Sequence, residues 1–129
     1  MDKKELVTLA TEARENSYSP YSGFKVGAAL LTKSGKVYKG CNIENGAFSP
    51  TNCAERTAVF SAISDGEREF TAIAVVGGKD EINSYCPPCG VCRQVLCEFC
   101  DKDFEIYLYD GENIKTYTLG QLLPESFKL

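Results

Sequence analysis

The stretch YCPPCGVCRQ, Tyr85 to Gln94, carries Cys86, Cys89 and Cys92, each three residues from the next. Upstream, NCAERT places another thiol, Cys53, two residues before a carboxylate, Glu55. The chain has no histidine, so a transition-metal site here must be built from sulfur and oxygen donors. A thiol becomes a ligand or nucleophile as the thiolate, and the N–H groups and positive partial charge at a helix start favour that form. Both cysteine segments read as helix starts. Two thiols three apart on a first helical turn face the same way, and a third from another helix can close three sides of a tetrahedron. The fourth side then stays open for water, which separates a catalytic zinc site from a structural one.

Two Cys-x-x-Cys pairs can be drawn, Cys86/Cys89 and Cys89/Cys92. Pro87 and Pro88 suit a loop that ends at Cys89, which leaves Cys86 outside the helix. A redox Cys-x-x-Cys, or a four-cysteine structural site that recruits Cys86, are the competing readings. Neither gives Glu55 a task. Glu55 has a competing role of its own, because it follows Asn52 by three residues, the capping-box spacing for a helix capped at Asn52. Cys41, Cys97 and Cys100 read as small core residues.

These residues must be held by ordinary elements. LVTLATEA, within Lys3 to Asn16, repeats apolar residues at helical spacing through Leu6, Leu9, Ala10 and Ala13. After the turn-rich YSPYSGF come two strands joined at Ser34-Gly35, then a loop and a helix closed by Gly66. FTAIAVVGG is a buried strand. CGVCRQVLCEFC is a helix with Val91, Val95, Leu96 and Phe99 on one face. FEIYLYD and IKTYTL are strands around Asp110-Gly111, and Leu119 to Leu123 forms a short helix. The order predicts an α/β fold, three-layer α/β/α around a five-stranded mixed sheet, in one domain over residues 1–129.

Composition narrows the partners. Basic residues number 14 against 18 acidic ones, for a net charge of -4, so the clustered cations that a nucleic acid polymer requires are missing. No apolar run reaches a membrane span and the N-terminus shows no signal-peptide block, which predicts a cytoplasmic protein with no membrane partner. Seven cysteines in such a chain point to metal or thiol chemistry rather than a disulfide framework.

PYSGFKVGAALL, GCNIEN, NCAERTA, PCGVCRQV and LLPESF follow one another along nearly the whole chain. This series resembles the small homotetrameric, three-cysteine zinc type of the cytidine/deoxycytidylate deaminase family. The zinc-deaminase signature, a ligand two residues before Glu and then Pro-Cys-x-x-Cys, stands here as Cys53-Ala54-Glu55 and Pro88-Cys89-Gly90-Val91-Cys92. The resemblance implies one Zn²⁺ per subunit on Cys53, Cys89 and Cys92, with Cys86 a bystander. It makes Glu55 the proton shuttle and Arg56 a donor to a ligand sulfur. It assigns Phe24 to stacking on the base, the Ala54 backbone to the pyrimidine, and Asn42 and Glu44 to the ribose hydroxyls. Those last two are read as alternate residues of one strand, hence on one face. Phe127 closes the pocket, and Phe48, where the family often has tyrosine, lies at a subunit-interface pocket.

The implied reaction is hydrolytic deamination of the nucleosides cytidine and 2′-deoxycytidine to uridine and 2′-deoxyuridine with release of ammonia, a step of pyrimidine salvage. A blasticidin S deaminase-like aminohydrolase is the nearest alternative, disfavoured by Phe24 and the Asn42–Glu44 pattern. A non-catalytic zinc-binding module is the alternative from another class. A polynucleotide-editing deaminase conflicts with the acidic balance.

Overall fold

A computed structural model describes residues 1–129. The elements are α1 (Lys3–Arg14), β1 (Lys25–Thr32), β2 (Val37–Cys41), α2 (Ala54–Ser64), β3 (Phe70–Gly78), α3 (Gly90–Phe99), β4 (Glu105–Tyr109), β5 (Ile114–Thr118) and α4 (Leu119–Leu122). The strands form one sheet in the order β2-β1-β3-β4-β5. β1 runs antiparallel to β2 and β3, β3 and β4 are parallel, and β4 and β5 are antiparallel. The parallel pair needs a crossover between its strands, which α3 supplies.

Alternation along the central strands sorts the core onto two faces. Ala28 and Leu30 of β1 and Ile73 and Val75 of β3 pack with Ala58, Val59 and Ala62 of α2 and Leu96 of α3. Ala29 of β1 and Ala72, Ala74 and Val76 of β3 pack with Leu6, Val7 and Ala10 of α1. A strand covered on both faces needs apolar residues at every position, hence the unbroken run in β3. The three layers and five-stranded mixed sheet expected from the sequence are present.

Two helices depart from expectation. α1 stops at Arg14, short of Asn16, where the buried guanidinium donates to the carbonyls of Lys25 (3.2 Å), Gly78 (2.8 Å) and Lys79 (3.0 Å). This ties the helix end to the start of β1 and the end of β3. On α3, Val91 is 58 % exposed, and the inward face is Cys92, Leu96 and Cys97. Cys92 and Leu96 are four apart and stack on one side of the helix, which turns Val91 outward. Of the three cysteines expected in the core, Cys97 is buried, whereas Cys41 and Cys100 are half-buried. Burial still pushes the Cys100 thiol up to about 12, which disfavours the thiolate at neutral pH.

Close packing of α2 on the sheet depends on Gly40. A Cβ there would lie 2.5 Å from both the Ala54 carbonyl oxygen and the Ala58 nitrogen. The bare backbone of β2 therefore lets the first turn of α2 settle directly on the sheet.

Candidate metal centre and active site

α2 and α3 each begin at a cysteine. Cys53 (φ -78°, ψ 156°) and Cys89 (φ -67°, ψ 167°) are the N-cap residues, extended in backbone, and neither spends its side chain on capping. Their carbonyls accept the first helical bonds from Thr57 (3.0 Å) and Arg93 (2.9 Å), and their sulfurs take no part in capping. The expected N-cap at Asn52 is thus displaced by one residue. Asn52 exchanges both backbone hydrogen bonds with Ile43 at 2.9 Å, which holds it extended, and its side-chain amide donates to Thr57. The capping-box role for Glu55 disappears with that shift.

The sulfurs of Cys53, Cys89 and Cys92 all lie within 4.8 Å of one another, and Cys53 and Cys89 are 3.8 Å apart. Tetrahedral zinc with Zn–S bonds of about 2.3 Å requires sulfurs about 3.8 Å apart. Donor type, number and spacing therefore fit Zn²⁺ with one position left over. Cys86 does not join the group. Burial pushes its thiol up to about 11, with the charges of Glu55, Cys53 and Cys89 adding to the effect.

Charge around the sulfurs is uneven. The adjoining Cys92 thiol, opposed by burial, and then the Arg56 guanidinium hold Cys53 down to about 5. Arg56 Nη2 donates to the Cys53 sulfur at 3.2 Å, while its buried Nε has no partner in the chain. Cys92, fully buried, is pushed well up by its proton-sharing with Cys53 and by burial. Glu55 is only 4 % exposed, and burial raises its carboxyl to about 7 in the metal-free protein.

Of the other residues singled out, Phe24, Asn42, Glu44 and Ala54 occupy neighbouring segments. Ala54 is the first residue of α2 and fully buried, with its amide among the unpaired N–H groups of a helix start. Asn42 and Glu44 lie beyond the end of β2, yet the bridges of Ile43 to Tyr18 and Asn52 keep the chain extended there. Both organise the 17–24 turn. The Asn42 oxygen accepts from the Val26 amide (2.9 Å) and the Ser17 hydroxyl, and its nitrogen donates to the Phe24 carbonyl (2.8 Å). Glu44 accepts from the Tyr21 amide (2.9 Å), the Ser22 amide (3.2 Å) and the Ser22 hydroxyl. The Ser22 hydroxyl, working against slight burial, and the two amides keep its carboxyl below the ordinary range. An amide has two donors and a carboxylate several lone pairs, so each retains capacity for a ligand.

Phe48 and Phe127 stand apart. Phe48 sits in a turn at φ 64° with 78 % of its surface exposed. Phe127 is 67 % exposed and lines an outer groove with Phe60, Val91, Val95 and Phe99. Within one chain, both rings stay largely exposed.

The family model of the cytidine and deoxycytidylate deaminase zinc-binding region matches residues 1–108. The chain belongs to the cytidine and deoxycytidylate deaminase family. A cytidine deaminase of Sporosarcina psychrophila is 51% identical over 128 residues, covering 98% of this chain and 92% of that one. The crystal structure of cytidine deaminase from Burkholderia pseudomallei matches with a TM-score of 0.91 at 47% identity, over 98% of this chain and 100% of that chain. A Blasticidin-S deaminase of Bacillus cereus is more distant, 34% identical over 125 residues that cover 93% of this chain and 88% of that one.

In this deaminase-family chain, the residue directly after the candidate ligand Cys92 also serves the site. Arg93 donates to the Pro88 carbonyl (2.7 Å) and the Leu122 carbonyl (2.8 Å), which fixes the loop that delivers Cys89. Its place directly after Cys92 in PCGVCRQ was the available signal.

Two outcomes follow from the electrostatics. Arg56→Ala removes the cation beside Cys53 and is expected to weaken zinc affinity about 10–100-fold, read by competition with a chromophoric chelator. The second concerns metal-free protein. Folded Glu55 keeps its proton up to about 7, against 4.5 ordinarily, so its contribution to stability is whole below 4.5 and is lost as pH rises through 7. Cys53, lowered from 9.0 to about 5, contributes the opposite slope, stability that is lost as pH falls through 5. Comparing chelated parent with chelated Glu55→Gln isolates the first effect. The parent's unfolding free energy is expected to fall relative to the variant's between pH 5 and 7, measured by urea titration at each pH.

Proposed function

We propose that this chain is a zinc-dependent cytidine deaminase that converts cytidine and 2′-deoxycytidine to uridine and 2′-deoxyuridine. The observation that carries the reading is the cluster of three thiols at two helix starts, with the buried Glu55 carboxyl beside it. Zn²⁺ held by Cys53, Cys89 and Cys92 would acidify a water toward neutral pH. Glu55 takes a proton from water as its oxygen bonds to C4 and gives one to ring N3. It then takes the remaining proton from the new C4 hydroxyl and delivers it to the amine as the C4–N4 bond breaks, which leaves a carbonyl at C4 and releases ammonia. Burial holds the carboxyl where both partners of this transfer can reach it. Three thiolates on a divalent cation carry a net negative charge, which Arg56 and the helix N-termini offset.

The turn organised by Asn42 and Glu44 presents Phe24 as the ring that stacks on the base, and the same two side chains receive the ribose hydroxyls. The Ala54 amide faces the pyrimidine. We place Phe48 and Phe127 in pockets completed by neighbouring copies of a homotetramer, with one Zn²⁺ per subunit. Their exposure, together with that of Phe60 and Val91, supports this, since a lone chain leaves these apolar groups in water. Residues 1–129 act as one domain, in which both core clusters share a single sheet. No helix is long and apolar enough to cross a membrane, and we place the enzyme in cytoplasmic nucleoside salvage.

Cytidine, 2′-deoxycytidine and blasticidin S, offered separately to zinc-loaded protein, test the proposal. The expected result is a fall in ultraviolet absorbance with both nucleosides and one ammonia released per product. Turnover of blasticidin S alone, or of none, overturns it. Gel filtration with light scattering is expected to give the mass of four chains.

A further inference from the structure

We propose that Gly77 is a positioning residue for substrate, setting how far the Phe24 ring reaches into the base-binding groove. The inference rests on the reading of Phe24 as the stacking ring. Gly77 is the penultimate residue of β3 and pairs with Val26 of β1. A glycine inside a strand is costly, and something must require it. Backbone conformation does not, because the glycines with positive φ are Gly23, Gly35, Gly66 and Gly111. The requirement is space. A Cβ on Gly77 would lie 2.8 Å from the Cys86 sulfur, 3.0 Å from the Cys86 Cβ and 3.0 Å from Cε2 of Phe24.

Few of those neighbours can retreat. Phe24 is held through its backbone, its amide donating to the Ser22 hydroxyl (3.0 Å) and its carbonyl accepting from Asn42 (2.8 Å). Arg14 pins the adjoining carbonyls of Lys25 and Gly78 at 3.2 and 2.8 Å. Cys86 leads into Pro87 and the buried Pro88, whose carbonyl Arg93 holds at 2.7 Å. The freest member of the group is the half-buried Phe24 side chain, which can swing about its χ angles. A methyl group at position 77 therefore presses on both the Cys86 thiol at 2.8 Å and the Phe24 ring at 3.0 Å. The ring, hinged on its χ angles, is pushed toward the groove while the backbone of the metal loop stays held by Arg93. The bare strand lets the ring edge at Cε2 approach β3 closely and keeps the groove open to a pyrimidine.

The test is a double-mutant cycle on zinc-loaded protein, with KM and kcat for cytidine measured in the parent, Gly77→Ala, Phe24→Ala and the double variant. Loss of a well-placed aromatic contact corresponds to about 3–10-fold. Gly77→Ala is expected to raise KM by that factor, with kcat within about twofold and zinc content at the parent value. In the Phe24→Ala background the same change is expected to leave KM unaltered. An equal rise in both backgrounds, no rise at all, or a fall in kcat with zinc loss overturns the proposal. If Phe24→Ala itself leaves KM at the parent value, the stacking role of Phe24 fails first, and that result is separate from additivity. Should Gly77→Ala not fold, Gly77→Ala/Cys86→Ala carries the test against Cys86→Ala. It removes the sulfur at 2.8 Å and keeps the ring contact at 3.0 Å.

Discussion

Glu55→Gln is expected to lower kcat for cytidine about 10²–10⁴-fold while zinc stays bound at the parent level. The amide keeps the size and shape of the carboxyl, and the side chain is 4 % exposed, so packing on α2 is undisturbed. In the proposed mechanism, what it loses is the ability to take a proton from water and return one to the substrate. A purely structural Glu55 makes a different forecast, because burying a neutral amide is cheaper than burying a carboxylate. The variant would then be as active as the parent and at least as stable. Measuring kcat, bound zinc and the melting temperature on one preparation separates the two accounts. A kcat within tenfold of the parent contradicts the assignment.

The second large effect is expected at the ligands. Cys53→Ala, Cys89→Ala and Cys92→Ala each leave two sulfurs of the group and should reduce bound zinc and deamination to background. Cys86→Ala should retain both. The contrast between Cys86 and Cys89 is sharp because they are three residues apart and equally capable of coordination by type. Geometry divides them, since Cys89 caps α3 within the sulfur group and Cys86 packs against Gly77. Zinc loss in Cys86→Ala, measured by plasma emission spectrometry after desalting, would show a fourth ligand and a closed site.

Much of this was legible in the sequence because it is local. Cys89 and Cys92 share a helix start, and proline placement and residue spacing report a helix start directly. The layered sheet followed from the two periodicities. Long-range partners decided the rest. Asn52 and Cys53 are both acceptable ahead of α2, and the choice went to Cys53 through the Asn52 bridge to Ile43. Val91 has the right spacing for the inward face of α3, yet Cys92 took that face and Val91 turned out. Arg14 reaches carbonyls 64 and 65 residues away, and a lone arginine at a helix end carries no signal of such partners. Gly77 reads as one more glycine until Phe24 and Cys86 are seen on either side of it. The aromatic rings of Phe48 and Phe127 are exposed in one chain, and only the proposed homotetramer gives them a task.

The most direct test of the whole account is zinc K-edge X-ray absorption on the loaded protein at neutral pH. Three sulfur scatterers at about 2.3 Å and one oxygen at about 2.0 Å are predicted, the signature of an open catalytic position beside Glu55. Four sulfurs, with no light atom in the shell, would contradict it.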